Sequence, residues 1–274
     1  MCSLNQLMSG VSLAETLNRV ENEIKSRTAD ADLRATFVQL LCLDGNWARA
    51  LTQLKSWVAL NPQAKSTVTL LEQAVQGEIQ RTGVFAAGSQ PRMPGEAFSW
   101  AGCLLAALAA DGTGEHEKAA ALRAVAFEAA TVNPGRVKQE NTEHERAVAW
   151  LMDGDGRLGP LCELIVNGHY TWLPFAAISE LRFQPPASVT DLVWRHTLVR
   201  LIDGSEQVCQ LPVRYPFDPA ADDRIKLGSV TEWTPLDAAG EQFIGHGQKT
   251  WLSDENDFPL LGLDVLTFVE ADDE

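Results

Sequence analysis

The chain predicts a two-part α+β protein: a tetratricopeptide-like helical-repeat region over residues 1–134, then an acidic, β-rich α/β domain over residues 135–274. Three observations predict it. The phrase Leu43-Asp44-Gly45-Asn46-Trp47-Ala48-Arg49-Ala50-Leu51, running to Leu60-Asn61-Pro62, has the form of the turn and second helix of a helical hairpin. After Pro134 the apolar segments shorten and turn dipeptides appear. Charge divides at the same place, with 11 basic and 13 acidic residues up to Pro134 but 11 and 24 beyond it.

Each helix has its own warrant. Ser12 can cap a helix reaching about Ser26, with Leu13, Leu17, Val20 and Ile24 on one face. Asp30 or Asp32 opens a second, with Leu33, Phe37, Leu40 and Leu41 inward. Gly45 permits a tight turn, and Asn46 caps a third helix carrying Leu51, Leu54, Trp57 and Val58. Ala50 is small where two helices cross, Trp47 and Leu54 are expected to fill between them, and Pro62 stops the helix. A longer helix is expected from Ser66 to about Thr82, and Pro91, Pro94 and Gly95 break the pattern. Ala97 to Ala110 and Glu115 to Val132 read as two more helices. The second repeats the Asn-Pro ending at Asn133-Pro134, and its Ala119, Leu122, Ala126 and Ala129 make a weak internal repeat.

A linker is expected from Val132 to Glu145. Asn167-Gly168 lies between Leu161–Val166 and His169–Leu173, and Asp203-Gly204 between Leu198–Ile202 and Gln207–Leu211. Both have the apolar-turn-apolar form of a tight hairpin. Leu181–Phe183, Lys226–Val230 and Val265–Val269 are further strand candidates, with short helices before Gly159 and at Ala176–Ile178. The acidic tail Glu270–Glu274 is expected to fray.

The net charge of −15 argues against nucleic acid or an anionic membrane as partner. Five cysteines (Cys2, Cys42, Cys103, Cys162, Cys209) form no C-x-x-C pair, which suggests a reducing compartment without disulfides or a zinc knuckle. With no signal-like segment and no apolar run near the ~20 residues of a membrane span, the expected location is the cytoplasm.

Motifs for chemistry are sparse. There is no G-x-S-x-G, no phosphate-binding Gly-Lys loop, no G-x-G-x-x-G and no H-E-x-x-H. His116, His144, His169, His196 and His246 never fall at ligand spacing. No catalytic, cofactor or metal residue is therefore assigned. Asp153-Gly154-Asp155-Gly156 resembles the start of a calcium loop but lacks the later oxygen ligands, so it reads as a turn with two solvated carboxylates. Asp254, Glu255 and Asp257 form a second acidic group beside Trp251 and Phe258. Trp150, Trp172, Trp194, Trp233 and Trp251 divide between core and interface roles.

Several ordered phrases carry a resemblance. They are Trp150-Leu151-Met152-Asp153-Gly154-Asp155-Gly156-Arg157-Leu158-Gly159-Pro160, and Val166-Asn167-Gly168 leading to Trp172-Leu173-Pro174-Phe175. Then come Leu181-Arg182-Phe183 with Pro185-Pro186, Leu192-Val193-Trp194-Arg195, Leu211-Pro212-Val213-Arg214-Tyr215-Pro216 and Gly247-Gln248-Lys249-Thr250-Trp251. Together with the helical half, they are similar to the ImpE/SciE family, also called TagJ, of type VI secretion accessory proteins. The resemblance implies an accessory of the contractile sheath that binds the N-terminal helix of the small sheath subunit. It implies an indirect link to the ClpV-type ATPase that recycles the sheath, and a tetratricopeptide-like region joined to an α/β domain.

The expected function is a non-enzymatic adaptor, in which a partner helix lies in a groove walled by the helices from Leu33 to Leu43 and from Ala97 to Ala110. A carboxylate-gripping repeat would need more cations than Arg34. The alternative is a hydrolase-like second domain built on Asp153/Asp155 or Asp254–Asp257, with the repeats as a targeting arm. Burial of those carboxylates beside a cleft discriminates the two.

Overall fold

The structure, a computed structural model, describes residues 10–93 and 98–269. Six helices precede Gly135 among the described residues: α1 (Leu13–Ser26), α2 (Ala31–Asp44), α3 (Trp47–Leu60), α4 (Lys65–Phe85), α5 (Ala101–Gly112) and α6 (His116–Ala129). Ser12 and Glu15 close a capping box on α1, and the Asp30 carboxylate accepts from the amides of Asp32 and Leu33 to start α2. Gly45 stands at φ 76°, the left-handed value that turns α2 into α3. Asn46 sits at the start of α3, but its side chain makes no capping hydrogen bond. Ala50 and Leu54 are fully buried in the hairpin. Trp47 instead turns toward the sheet, its ring 5.8 Å from that of Trp194. Pro94, Gly95 and Ala97 lie outside the described residues. Ala119 and Ala126 are buried against α5 and the core, whereas Ala129 is exposed, so the repeat is incomplete.

The remainder is mostly antiparallel sheet. Its strands are β1 (Gly135–Gln139), β2 (Glu145–Val148), β3 (Leu151–Asp153), β4 (Leu161–Val166), β5 (His169–Pro174), β6 (Ile178–Phe183), β7 (Trp194–Leu201) and β8 (Glu206–Pro212). After a short helix α7 (Asp223–Lys226) come β9 (Thr231–Pro235), β10 (Phe243–Gly247), β11 (Thr250–Ser253), β12 (Asp257–Pro259) and β13 (Leu263–Phe268). Eight strands form one sheet in the order β2-β1-β13-β6-β7-β8-β4-β5, flanked by a three-stranded β12-β11-β3 sheet and a β9–β10 hairpin.

Asn167 and Gly168 both take positive φ, and Val166 pairs with His169, giving the tight hairpin their sequence demands. Asp203-Gly204 differs. Only Gly204 has positive φ, and the Leu201 amide donates to the Ser205 carbonyl at 2.9 Å, so three residues form the loop. Residues 226–230 are not a strand: Asp222 caps α7 through the Ile225 amide, and the strand begins at Thr231. The segment before Gly159 is a turn held by Asp155 rather than a helix, and β1 runs through the expected linker, bonded to both β2 and β13. The tail 270–274 lies outside the described residues.

Alternation along β4 explains the layering. Cys162 and Leu164 face a core shared with Leu181, Leu211, Trp251 and Leu266. Leu161 and Ile165 face the helices and join one continuous core with Leu41, Leu54, Val75 and Trp194. Helix α4 lies against this face. Gly77 makes the approach possible, because a Cβ there would stand 2.4 Å from Ile165 Cγ2.

Candidate functional site

Glu163 occupies the helix-facing side of β4 between Leu161 and Ile165, and it is fully buried. A carboxylate there needs cations within reach. Arg81, one turn beyond Gly77 on α4, supplies a two-pronged contact, Nε at 2.7 Å and Nη2 at 2.9 Å. Lys249, at the start of the segment leading into β11, reaches Glu163 at 2.7 Å and Asp153 at 2.6 Å. Tyr170 donates its hydroxyl to Glu163 at 2.5 Å and accepts from the Trp172 indole at 2.7 Å. Tyr215 donates to Asp153 at 3.0 Å. Asp155 holds Arg157 through both oxygens and accepts from the Gly245 amide. Trp194 donates to Glu78 at 3.1 Å.

Asp153 and Asp155 are thus buried ion-pair members, not the solvated turn carboxylates that the sequence predicts. The Asp-Gly-Asp-Gly turn folds inward because fixed cations await it. Burial raises the Asp153 carboxyl to about 6, against the opposing pull of Lys249. Burial would raise Glu163 too, but Arg81 and Lys249 outweigh it and hold it well below the carboxylate range. Burial pushes Cys42 and Cys209 up to about 12, so neither is a thiolate at neutral pH. Asp254 and Glu255, on the turn between β11 and β12, and Asp257, at the start of β12, lie exposed and are not brought together with this network. Trp172, Trp194 and Trp251 are core residues, whereas Trp233 is partly exposed and Trp150 half-buried.

Arg214 fixes the helical region from the other side. Its Nη1 donates to the Leu43 carbonyl at 2.7 Å and to the Lys226 carbonyl, and its Nη2 donates to the Cys42 carbonyl at 3.0 Å. The Cys42 and Leu43 carbonyls lie in the last turn of α2, and the Lys226 carbonyl ends α7. Burial without a carboxylate partner lowers its guanidinium to about 10. A cavity of about 200 Å³ lies beside it, walled by Trp47, Phe85 and Phe217, with Glu78 and Arg81 at its edge. None of Asp153, Glu163 and Lys249 lines that cavity, so neither of the two perturbed carboxyls faces it.

A larger groove of about 610 Å³ opens on the helical side. Ala35 and Gln39 of α2 form one wall, Leu70 and Leu71 of α4 the other, with Trp57 between them and His196 of β7 at the sheet end. Leu70 is 47% exposed there. Residues 33–43 therefore supply a wall, whereas α5 packs against α6 and lines none of this groove. Among the described residues no group of three or more metal-binding side chains comes together, and no helix is long and apolar enough to cross a membrane.

Sequence reasoning missed Arg81, Glu163 and Lys249. One signal was present: a lone glutamate inside the apolar run Leu161–Val166 has to be buried and paired. Most of the phrases quoted above meet at this junction, contributing Asp153, Asp155, Arg157, Trp172, Trp194, Arg214, Tyr215 and Lys249.

Fold and junction define a class: two-part α+β proteins whose stacked helical hairpins are fixed to an antiparallel sheet through buried ion pairs. A crystal structure of a Vibrio parahaemolyticus protein has the same architecture, with a TM-score of 0.84 and 27% identity over 94% of each chain. The ImpE protein family profile matches residues 145–267. The chain is 36% identical to the type VI secretion system accessory component TagJ of Pseudomonas aeruginosa, over 97% of this chain and 91% of that one. The chain belongs to the ImpE family, the family of a type VI secretion accessory component.

Proposed function

We propose that this protein is a non-enzymatic cytoplasmic adaptor of a type VI secretion system. It receives the N-terminal helix of the small contractile-sheath subunit in the groove between α2 and α4. Through the sheath it is linked indirectly to the ClpV-type ATPase, in sheath assembly or disassembly. The observation that carries the reading is the groove itself, about 610 Å³, in which apolar Ala35, Trp57, Leu70 and Leu71 stand among polar Thr36, Gln39, Ser188 and Gln210. Such a surface suits the apolar anchors of an amphipathic helix. The name of the Pseudomonas aeruginosa relative supports the accessory role. The non-enzymatic reading is supported by the pairing of Asp153 and Asp155 inside the junction and by the exposure of Asp254 and Asp257. We further take residues 1–134 and 135–274 as the two units. They work as one body, because separating them would strand Arg81, Glu163 and Arg214.

The test is calorimetric titration of the full chain with a peptide spanning that sheath helix. Saturable binding at micromolar Kd, about −8 kcal/mol, is expected. Leu70→Glu or Thr67→Glu, both at exposed positions lining the groove, should weaken it at least tenfold without lowering the melting temperature. No heat at 100 μM peptide, or full binding by both variants, would reject the groove as the sheath site.

A further inference from the structure

We propose that the cavity between α4, the α2–α3 turn and the β8–α7 connection binds a phenol group that comes from outside this chain. Its walls are largely flat and apolar, made by the rings of Trp47, Phe85 and Phe217 with Pro216 and Val193. A dry cavity of about 150 Å³ holds one benzene ring, so about 200 Å³ leaves room for a substituent. The cavity adjoins a shallow depression that shares Asp44, Gly45, Trp47, Thr82 and Pro219 with it and adds the exposed Ile79. That depression gives a ring its way in from solvent.

The hydrogen bonds around the cavity select that group. Both Nη atoms of Arg214 are taken by the carbonyls of Cys42, Leu43 and Lys226. Arg81 gives Nε and Nη2 to Glu163, and among the described residues its Nη1 meets only Glu78 Oε2, at 3.4 Å. Glu78 is 5% exposed, and its other oxygen accepts from the Trp194 indole at 3.1 Å. Full-strength N–H···O bonds are about 2.7–3.2 Å long. One buried donor and one buried acceptor on residues lining the cavity are thus held only by a long contact with each other. A cation entering would meet the Arg81 and Arg214 guanidiniums, and an anion would meet Glu78 and Asp44, so the occupant is neutral. A hydroxyl satisfies both atoms at once, donating to Glu78 and accepting from Arg81. An aromatic ring behind it suits the ring walls. The junction already uses this chemistry twice: Tyr170 donates to Glu163 at 2.5 Å and Tyr215 to Asp153 at 3.0 Å. Those are the chain's two tyrosines, so a third phenol has to be supplied from outside. The proposal does not rest on the sheath reading.

The probes are p-cresol, its methyl ether 4-methylanisole, and toluene. Each is titrated into the full chain and read from the indole N–H signals of Trp47 and Trp194 in proton–nitrogen NMR spectra. p-Cresol should shift both signals saturably with a Kd of about 1 mM or below, the scale for a single ring. The ether accepts but cannot donate, and toluene does neither, so both should bind at least tenfold more weakly. Glu78→Gln should lower the preference for p-cresol over its ether to less than threefold, a ratio that general loosening of the fold would leave unchanged. Thr82→Trp, at an exposed position on the cavity rim, should weaken p-cresol at least tenfold with an unchanged melting temperature. A blocked tripeptide with tyrosine between two glycines separates the sources. Saturation of the same signals by the peptide assigns the site to a tyrosine of another protein, and binding of p-cresol alone assigns it to a small phenol. No saturation below about 10 mM p-cresol, equal affinity for the three probes, an undiminished preference in Glu78→Gln, or unchanged affinity in Thr82→Trp would each overturn the proposal.

Discussion

Replacing Arg81 by methionine tests the junction most directly. Methionine keeps most of the volume but removes three interactions: the two-pronged contact to Glu163, the donation to the Arg214 carbonyl at 2.9 Å and the longer contact to Glu78 at 3.4 Å. Glu163 would be left buried with Lys249, itself shared with Asp153, and with the Tyr170 hydroxyl. Breaking one side of a buried pair costs about 3–5 kcal/mol. Of a total stability of about 5–15 kcal/mol, that is a large share. Urea denaturation at pH 7 measures it, as a lowered midpoint at unchanged slope.

The sign with pH is fixed by Glu163. Its folded pKa is depressed, so its contribution is present above the unfolded value near 4.5 and is lost as pH falls through the folded one. With Arg81 removed that depression is reduced, so the cost of the substitution should shrink as pH drops below about 4.5. In a Glu163→Gln background the cost should fall to about 1 kcal/mol, the scale of a neutral hydrogen bond. A cost below 1 kcal/mol in the parent chain, or the same cost in both backgrounds, would refute the assignment of Arg81 as the counter-charge of Glu163.

Gly77→Ala should destabilise by about 1–3 kcal/mol from overpacking against Ile165, offset by about 1 kcal/mol of helix propensity, and Ile165→Ala should relieve it in a thermal-melt cycle. Asp153 has a folded pKa raised from 3.8 to about 6, so its contribution to stability is fully present below 3.8 and falls away as pH rises to about 6. That loss is about 3 kcal/mol at 1.36 kcal/mol per unit, and Asp153→Asn should remove this slope from a pH series of denaturation curves. Tyr170→Phe should cost about 1–3 kcal/mol, because Glu163 and the Trp172 indole both lose a partner, again read from the urea midpoint. In the native chain Cys42, Cys162 and Cys209 should resist alkylation at pH 8, and mass spectrometry should show rapid labelling only after unfolding.

The helices were legible in the sequence because their signals are local. Capping by Ser12 and Asp30 starts α1 and α2, and Gly45 with apolar spacing places α3 although Asn46 makes no cap, all without reference to the rest of the chain. Asn167-Gly168 announced its hairpin for the same reason. Asp203-Gly204 was less legible, since one glycine in a left-handed conformation serves two- and three-residue loops alike. The site was hidden for a different reason. The meaning of Asp153 depends on Lys249, 96 residues away, and that of Arg81 on Glu163, 82 residues away. Nothing in either neighbourhood names the partner. The strand β1 has the sequence of a linker because its polar side chains outnumber Val137, and only pairing with β2 and β13 makes it a strand.

Helix α4 gives the groove a particular thermodynamic character. Leu70 and Leu71 stand on its earlier turns, and Gly77 and Arg81 are locked to the sheet only about 10–16 Å further along the same rod. The wall of the groove cannot loosen unless the ion pairs behind it open. Amide hydrogens around Val75 to Val84 should therefore exchange only at the rate of global unfolding. A ligand seated in the groove would meet a surface already ordered, so the entropy lost on binding would fall on the incoming segment and very little on the protein.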